Sequence, residues 1–484
     1  MSKAQGGEQG SPTLAVVIMA AGKGTRLKSR RPKVLHQVGG RPLLNHVIAA
    51  SVRVVGPERI FTIVGHQAER VRNAVAATGV QFVEQTEQRG TGHAIQCALG
   101  AVSGYDDIIV LSGDVPLIRP ETLEQLWRFH QQQAAAMTIL TAAPDDPTGY
   151  GRIVRGDASA RVEAIIEQEA LKPEQESLPE LLPKSLKEIN TGIYAFKTAA
   201  LKAHLSSLTA GNPKGELYLT DMAGALQKAG ERVVAVKAEN SAEVLGANTI
   251  AELVALDGAM RMATAQRLMA SGVTIFRPDT CVIDAGVEVE PDSIIEPYVQ
   301  LLGNTQVGAE TTIRSYSVIE NCTIGSRVVI RQSCVLADSS VADGADLGPF
   351  ARLRPGCEIG EDVHIGNFVE VKKSKLHKGV KAGHLAYLGD SEIGAGANIG
   401  AGVITCNYDG ERKHKTEIGE GAFIGSDSTL VAPVAIHDGA YVGAGSCITR
   451  DVPAGALAVG RARQMTKEGW VEARRQRQKT EKRS

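Results

Sequence analysis

The chain has 484 residues and balances 53 Lys plus Arg against 54 Asp plus Glu, a formal net charge of -1. At about 150 residues per domain the length suggests three domains or two large ones, and near-neutrality leaves no electrostatic footprint for nucleic acid or an anionic membrane. A hydrophobic content of 43% with 22% charged residues excludes a disordered chain. Two features are unusual: aromatics make up only 4%, and 52 residues are glycine.

Residues 1–13 are polar, with no apolar stretch of the signal-peptide kind, and are expected to be a disordered extension. No apolar run reaches the roughly 18 residues of a membrane span. The seven cysteines are widely spaced with no CxxC. That argues for reduced thiols in a cytoplasm, and against a disulfide scaffold or a zinc site.

The first half alternates strand and helix signals. Leu14–Ala20 is an aliphatic run that reads as a buried parallel strand. Pro42 is placed to open a helix, at the position where its missing N–H costs nothing. Ile60–Val64 reads as a strand, Ala68–Ala77 as a helix, and Ile108–Leu111 as a third strand ending in Ser112-Gly113-Asp114. This rhythm predicts an α/β sheet with helices on both faces and ligands beyond the carboxyl ends of the strands. Thr249-Ile250-Ala251-Glu252 is a capping-box signal, followed by Leu253, Leu256 and Met260 at helical spacing, so a linker helix is expected to end near Gly272.

From about residue 280 the period becomes six. Val289, Ile295, Leu301, Val307, Ile313 and Ile319 form one run; Leu347 to Val371 and Ile418 to Ile448 form two more. Six residues fit one short strand and a tight turn, and three such units make one triangular coil with a narrow aliphatic core. Glycine often follows the aliphatic, as at Ile324-Gly325 and Ile424-Gly425, and is expected there for its turn conformations. A polar insertion, TCNYDGERKHKTE, interrupts the register between Ile399 and Ile418 and should project as a loop. The basic final segment reads as a solvated tail.

Candidate chemistry clusters after the first strand. Ala20-Ala21-Gly22-Lys23-Gly24-Thr25-Arg26 is neither a Walker loop nor GxGxxG, but small residues there would let backbone N–H groups approach a phosphate while Lys23 and Arg26 add charge. Lys33 follows closely, Gln85 to Ala94 is a second small-residue segment, and Asp114 stands at a strand end where a triphosphate's Mg2+ could be held. In the second half, Arg354 and Lys372 lie one coil apart by number, a spacing that would build a cationic column for a sugar phosphate.

AAGKGTRL, PKVL, EQRGTGHA and GDVPL, in that order, resemble a sugar-nucleotide pyrophosphorylase. With DDPTGYGRI, INTG and the hexapeptide repeat behind them, residues 14–470 resemble the bacterial family of bifunctional N-acetylglucosamine-1-phosphate uridyltransferases/glucosamine-1-phosphate acetyltransferases. The resemblance implies an α/β Rossmann-like nucleotidyltransferase domain at 14–248, a linker helix at 249–271, a left-handed parallel β-helix acetyltransferase domain at 272–460 and a C-terminal tail at 461–484. It implies that Ala20, Ala21 and Gly22 line the nucleotide, with Lys33 on the phosphates and Arg26 helping to neutralise charge. Gln85, Gly90 and Thr91 would hold uracil; Gly151, Glu167 and Asn190 the acetylated sugar; Asp114 and Asn248 the Mg2+. His384 would be the general base that relieves the sugar amine of a proton, a task suited to imidazole. Arg354, Lys372, Tyr387 and Asn398 would bind the sugar phosphate, and Ala401, Asn407, Tyr408, Ser426, Ala444 and Arg461 acetyl-CoA.

The implied substrates are UTP, N-acetylglucosamine-1-phosphate, glucosamine-1-phosphate and acetyl-CoA, in a cytoplasmic homotrimer supplying cell-wall precursors. Two departures stand out. Ser112 replaces a Tyr frequent before Gly-Asp, and residues 171–188 form a Pro/Glu/Lys-rich variable segment. Rival readings are a pyrophosphorylase whose β-helix only regulates, which gives no reason for His384 and its neighbours, and a non-catalytic regulatory subunit, which would show eroded phosphate and metal motifs.

Overall fold

The computed structural model describes residues 13–155, 160–168, 187–211 and 215–481. The expected extension, except Thr13, and most of the 171–188 segment lie outside these residues. The chain divides into two compact units, Met1–Ala263 and Thr264–Ser484, and the division falls inside the helix Ile250–Ala270.

In the first unit the strands order as Val233–Lys237, Met137–Ala142, Ile189–Lys197, Asp107–Ser112, Leu14–Met19, Ile60–Val64 and Gln81–Glu84. Leu14–Met19 pairs in parallel with both its neighbours. Ile189–Lys197 runs antiparallel to both of its own, which makes the sheet mixed. Alternation along the first strand shows why the run is continuous and aliphatic. Leu14, Val16 and Ile18 enter one core cluster, and Ala15 and Val17 enter the cluster on the other face. A strand covered on both faces has no use for polar residues. A hairpin, Arg152–Arg155 with Val162–Ile166, branches from the antiparallel strand.

Two local expectations change. Pro42 does not enter the helix: it pairs with Gln37 in a two-residue ladder and the helix begins at Leu43. Its backbone is extended, at ψ 144, so the ring stops the ladder instead of starting the helix. The capping box is half built. Thr249 Oγ1 accepts from the Glu252 N–H at 3.2 Å, but the Glu252 carboxylate accepts from the Asn248 N–H, at 2.7 Å, and not from Thr249. That return bond anchors Asn248.

The second unit is a left-handed parallel β-helix with three sheets of 11, 10 and 9 short strands. Nearly every strand contributes one inward aliphatic, with Thr405 in that place in Ile404–Cys406, and Val289, Ile295, Leu301, Ile313, Ile365, Val371, Ile424 and Ile448 are all buried in one continuous cluster. The repeat slips where the chain turns after Ile319, Leu336, Val371 and Leu388. There a single left-handed residue (Asn321, Asp338, Lys373 or Asp390) makes the corner, and the next core residue arrives after five positions, as Ile324, Val341, Leu376 and Ile393 do.

Glycine after the aliphatic has a different cause from the one expected. Gly400 and Gly425 are not among the positive-φ residues. Instead, a Cβ on Gly400 would sit 2.5 Å from the Ser426 nitrogen, and one on Gly425 2.5 Å from the Ala444 nitrogen. The coils stack backbone on backbone there, and any side chain would wedge them apart. The left-handed corners are held by glycines at other places, such as Gly402 and Gly421, and by non-glycine residues that include Tyr298, Tyr316, Phe350 and Phe368. These aromatics are excluded from the narrow core and stack outside it in pairs, Tyr298 on Tyr316 at 5.1 Å and Phe350 on Phe368 at 5.2 Å.

Candidate functional sites

The first unit opens a cleft of about 490 Å3 at the carboxyl end of Leu14–Met19. The structure brings Ala20, Ala21, Gly22, Lys33, Gln85, Gly90, Thr91 and Asp114 together on its walls. Each has a positional reason. Ala20 N–H donates to Ile63 O at 2.9 Å, which carries the first loop along the neighbouring strand. Gln85 is buried, and its side-chain amide donates to Gly90 O at 3.1 Å, which joins the two halves of the second segment. Thr91 starts the helix Thr91–Val102, whose N-terminal amides favour anionic ligands.

At the end of Asp107–Ser112 the Asp114 carboxylate is nearly buried and gathers partners from distant segments. Lys33 Nζ forms an ion pair with Oδ2, and the Ser112 hydroxyl donates to Oδ1. Ser112 thus adds a contact to Asp114, a role its place in the sequence did not suggest. Asn248 does not line the cleft, but its Oδ1 accepts from Lys33 Nζ at 3.0 Å and from Arg26 Nη2 at 2.8 Å. One ammonium therefore spans the two side chains expected to hold Mg2+. Both offer oxygen, the donor that hard cation prefers, and both contact the same ammonium. Among the described residues no three His, Cys, Asp or Glu side chains group as a metal cage.

Gly151, Glu167 and Asn190 also converge. Asn190 N–H donates to Gly151 O at 2.8 Å, and Glu167 Oε2 would lie 3.4 Å from a Cβ on Gly151. Glu167 Oε1 accepts from Thr220 Oγ1 at 2.9 Å, and Asn190 Nδ2 donates to Tyr194 Oη at 2.9 Å. Burial raises the Tyr194 hydroxyl far above the ordinary phenol value. Tyr150, next to Gly151, accepts from the Gly246 N–H at 3.4 Å, and its hydroxyl is likewise raised, chiefly by burial.

In the second unit Arg354, Lys372 and His384 lie on successive coils. The Arg354 N–H donates to Val371 O, and Lys372 pairs in register with Gly389. Arg354 Nη1 donates to Glu370 Oε1 at 3.1 Å, so its charge is already partnered, and Glu370 itself pairs in register with Tyr387. His384 is exposed, and its Nδ1 lies 2.7 Å from Asn367 Oδ1. The amide oxygen can only accept, so Nδ1 carries the proton and Nε2 keeps its lone pair free. Asn367 had no assigned role from sequence; its signal was its place one coil before His384, with which it pairs.

The insertion after Cys406 folds as a small loop closed by a bridge between Tyr408 and Lys413. Asn407 at its base is buried and donates to Asp390 Oδ2. Tyr408 is exposed. Asp409 holds the loop: its carboxylate accepts from the Arg412, Glu411 and His414 nitrogens, which keep it well below the usual carboxylate range. Lys413, another residue without a sequence-assigned role, lies beside Lys372, and that neighbour lowers its pKa. Asn398 is half-buried and pairs in register with Lys381 and Phe423. Ala401 and Ser426 follow the tightly stacked Gly400 and Gly425, and Ala444 follows Gly443 on the next coil, with Arg461 exposed beyond them. All seven cysteines are unpaired. Among the described residues no helix is long and apolar enough to cross a membrane.

Residues 16–180 match the family model of MobA-like NTP transferase domains, and residues 415–450 match that of bacterial transferase hexapeptide repeats. Over 97% of this chain and 98% of its own length, the "Bifunctional protein GlmU" of Koribacter versatilis is 57% identical. The proteins of the same name from Solibacter usitatus and Pelobacter propionicus are 48% and 43% identical, over 96% and 94% of this chain and 98% of each of theirs. With both units matched along nearly their whole length, the chain belongs to the bifunctional GlmU family.

Proposed function

We infer that the protein performs two successive transfers on one sugar phosphate. In the second unit the amine of glucosamine-1-phosphate attacks the thioester carbonyl of acetyl-CoA. The C–S bond breaks, free CoA leaves, and His384 Nε2 takes the amine proton. Asn367 holds the imidazole in the tautomer this needs. The cationic column of Arg354 and Lys372 receives the phosphate, with Tyr387 and Asn398 on the sugar. Acetyl-CoA runs along the stacked turns at Ala401, Ser426 and Ala444, bounded by Asn407, Tyr408 and Arg461.

In the first unit a phosphate oxygen of N-acetylglucosamine-1-phosphate attacks the α-phosphorus of UTP, and pyrophosphate leaves. The cleft wall at Ala20–Gly22 admits the nucleotide, Gln85, Gly90 and Thr91 select the base, and Gly151, Glu167 and Asn190 orient the sugar. Arg26 and Lys33 stand where charge develops on the triphosphate. Mg2+ held by Asp114 and Asn248 would supply further neutralisation of that charge. The product, UDP-N-acetylglucosamine, is a precursor for peptidoglycan and lipopolysaccharide. We place the reaction in the cytoplasm and the enzyme in a homotrimer, with the exposed stacked aromatics of the β-helix corner as the support for self-association.

The observation that carries this proposal is the His384–Asn367 pair, which fixes an imidazole on the face of a unit that regulation alone would leave plain. The purified protein with acetyl-CoA, glucosamine-1-phosphate, UTP and Mg2+ should release both CoA and pyrophosphate. His384→Ala should abolish CoA release and leave uridyl transfer to supplied N-acetylglucosamine-1-phosphate intact. A wild type that never releases CoA would favour a purely regulatory β-helix.

A further inference from the structure

Lys33 and Asn248 are 215 positions apart in the chain, yet the Lys33 ammonium bridges Asn248 to Asp114. It pairs with Asp114 Oδ2 and donates to Asn248 Oδ1 at 3.0 Å. The remaining Asp114 oxygen takes the Ser112 hydroxyl, and Asn248 Oδ1 takes a second cation, Arg26, at 2.8 Å. The oxygens that would face a metal are thus engaged by the chain's own donors. A magnesium ion sits about 2.1 Å from each ligand oxygen. An ion bridging Asp114 Oδ2 and Asn248 Oδ1 would claim the space the ammonium fills, and two positive centres cannot share it.

Lys33 is built to leave that seat without disturbing its base. It begins a short 3-10 turn, Lys33–Leu35, and its Cβ packs against Gly24, where an added Cβ would lie 2.6 Å away. Beyond that fixed root runs a flexible stem whose head stays partly open, at 18% exposure, on the wall of the nucleotide cleft.

We propose that Lys33 is an exchangeable counter-cation: its ammonium occupies the Asp114–Asn248 seat in the nucleotide-free protein and cedes it to a divalent cation once a triphosphate offers the ammonium another partner. This rests on Asp114 and Asn248 being the metal ligands. Exchange couples the two ligands. Free divalent cation binds poorly, nucleotide raises its affinity, and the reciprocal effect must be equal.

The test is Mn2+ binding to the full chain without nucleotide, read from the paramagnetic resonance signal of free Mn2+, with thermal melts to confirm that each variant is folded. Lys33→Met and Lys33→Gln should each bind Mn2+ at least about fivefold more tightly than the wild type. Adding Asp114→Asn to Lys33→Met should remove the gain. If both Lys33 variants bind no more tightly than the wild type while Asp114→Asn still weakens binding, the exchange is refuted and the metal seat stands. If Asp114→Asn changes nothing in the Lys33→Met background, the metal assignment itself fails.

Discussion

His384 Nδ1 and Asn367 Oδ1 lie 2.7 Å apart, joined across adjacent coils that pair residue for residue at this point. The sheet register therefore sets the tautomer of the imidazole. Asn367→Ala should lower kcat/KM for acetyl transfer by about 10- to 100-fold, because the ring loses both its orientation and its proton assignment. Asn367→Asp separates this from mere packing. A carboxylate there stabilises the imidazolium and raises its pKa, so the acidic limb of the pH–rate profile should move to higher pH. Uridyl transfer, assayed on the same samples, should not change.

Lys372 lies beside Lys413, and its like charge lowers the Lys413 pKa from the ordinary lysine value. Like charges held together are poised for an anion between them. Lys413→Ala is expected to raise KM for glucosamine-1-phosphate by about tenfold. Thermal stability should hold or improve slightly as the repulsion is relieved. A scan of KM against salt would show a shallower dependence in the variant.

Gly425 offers a test of the stacking. Its α-carbon faces the Ala444 nitrogen so closely that an added methyl would sit 2.5 Å away. Gly425→Ala should cost about 1–3 kcal/mol, since a coil cannot shift without breaking its own ladder. Denaturant titration of the variant, followed by β-sheet circular dichroism, gives the value. A cost near zero would show that the coils can spread at this turn.

His46 makes acid stability in the first unit pH-dependent. Its Nε2 donates to Val38 O at 2.8 Å, and burial, helped by the Arg41 charge, holds its pKa below the ordinary 6.5. The folded chain thus keeps this histidine neutral where the unfolded chain would protonate it. The contribution is fully present above the unfolded value and is lost as pH falls from about 6.5 toward the folded one. Melting temperature followed from pH 7.5 to 5 should drop in the wild type and drop less in His46→Gln.

Much of this architecture was legible because the constraints are local and periodic. The aliphatics of the β-helix announce themselves every six residues, and the strand Leu14–Met19 is continuous because both its faces are buried. What escaped was what depends on stacking between coils. Asn367 and Lys413 gain meaning only through neighbours on another coil or across a loop. The shortened corners at Asn321 and Asp390 hid inside an apparently constant repeat, since one left-handed residue can replace a longer turn. Pro42 was misplaced because a proline that suits a helix start suits a short ladder equally well. The bridge from Lys33 to Asp114 and Asn248 joins segments whose spacing carries no signal at all.

The excursion after Cys406 has a wider consequence. Ile393 pairs with Ile418 across it as directly as Leu376 pairs with Ile393 without one, and Thr416–Ile418 hands on to Val434–Ile436 in step. A corner of the solenoid is thus a splice point where chain length is free of the core. Loops of new length and charge can be inserted there, and the ladder that bears the load does not register their presence.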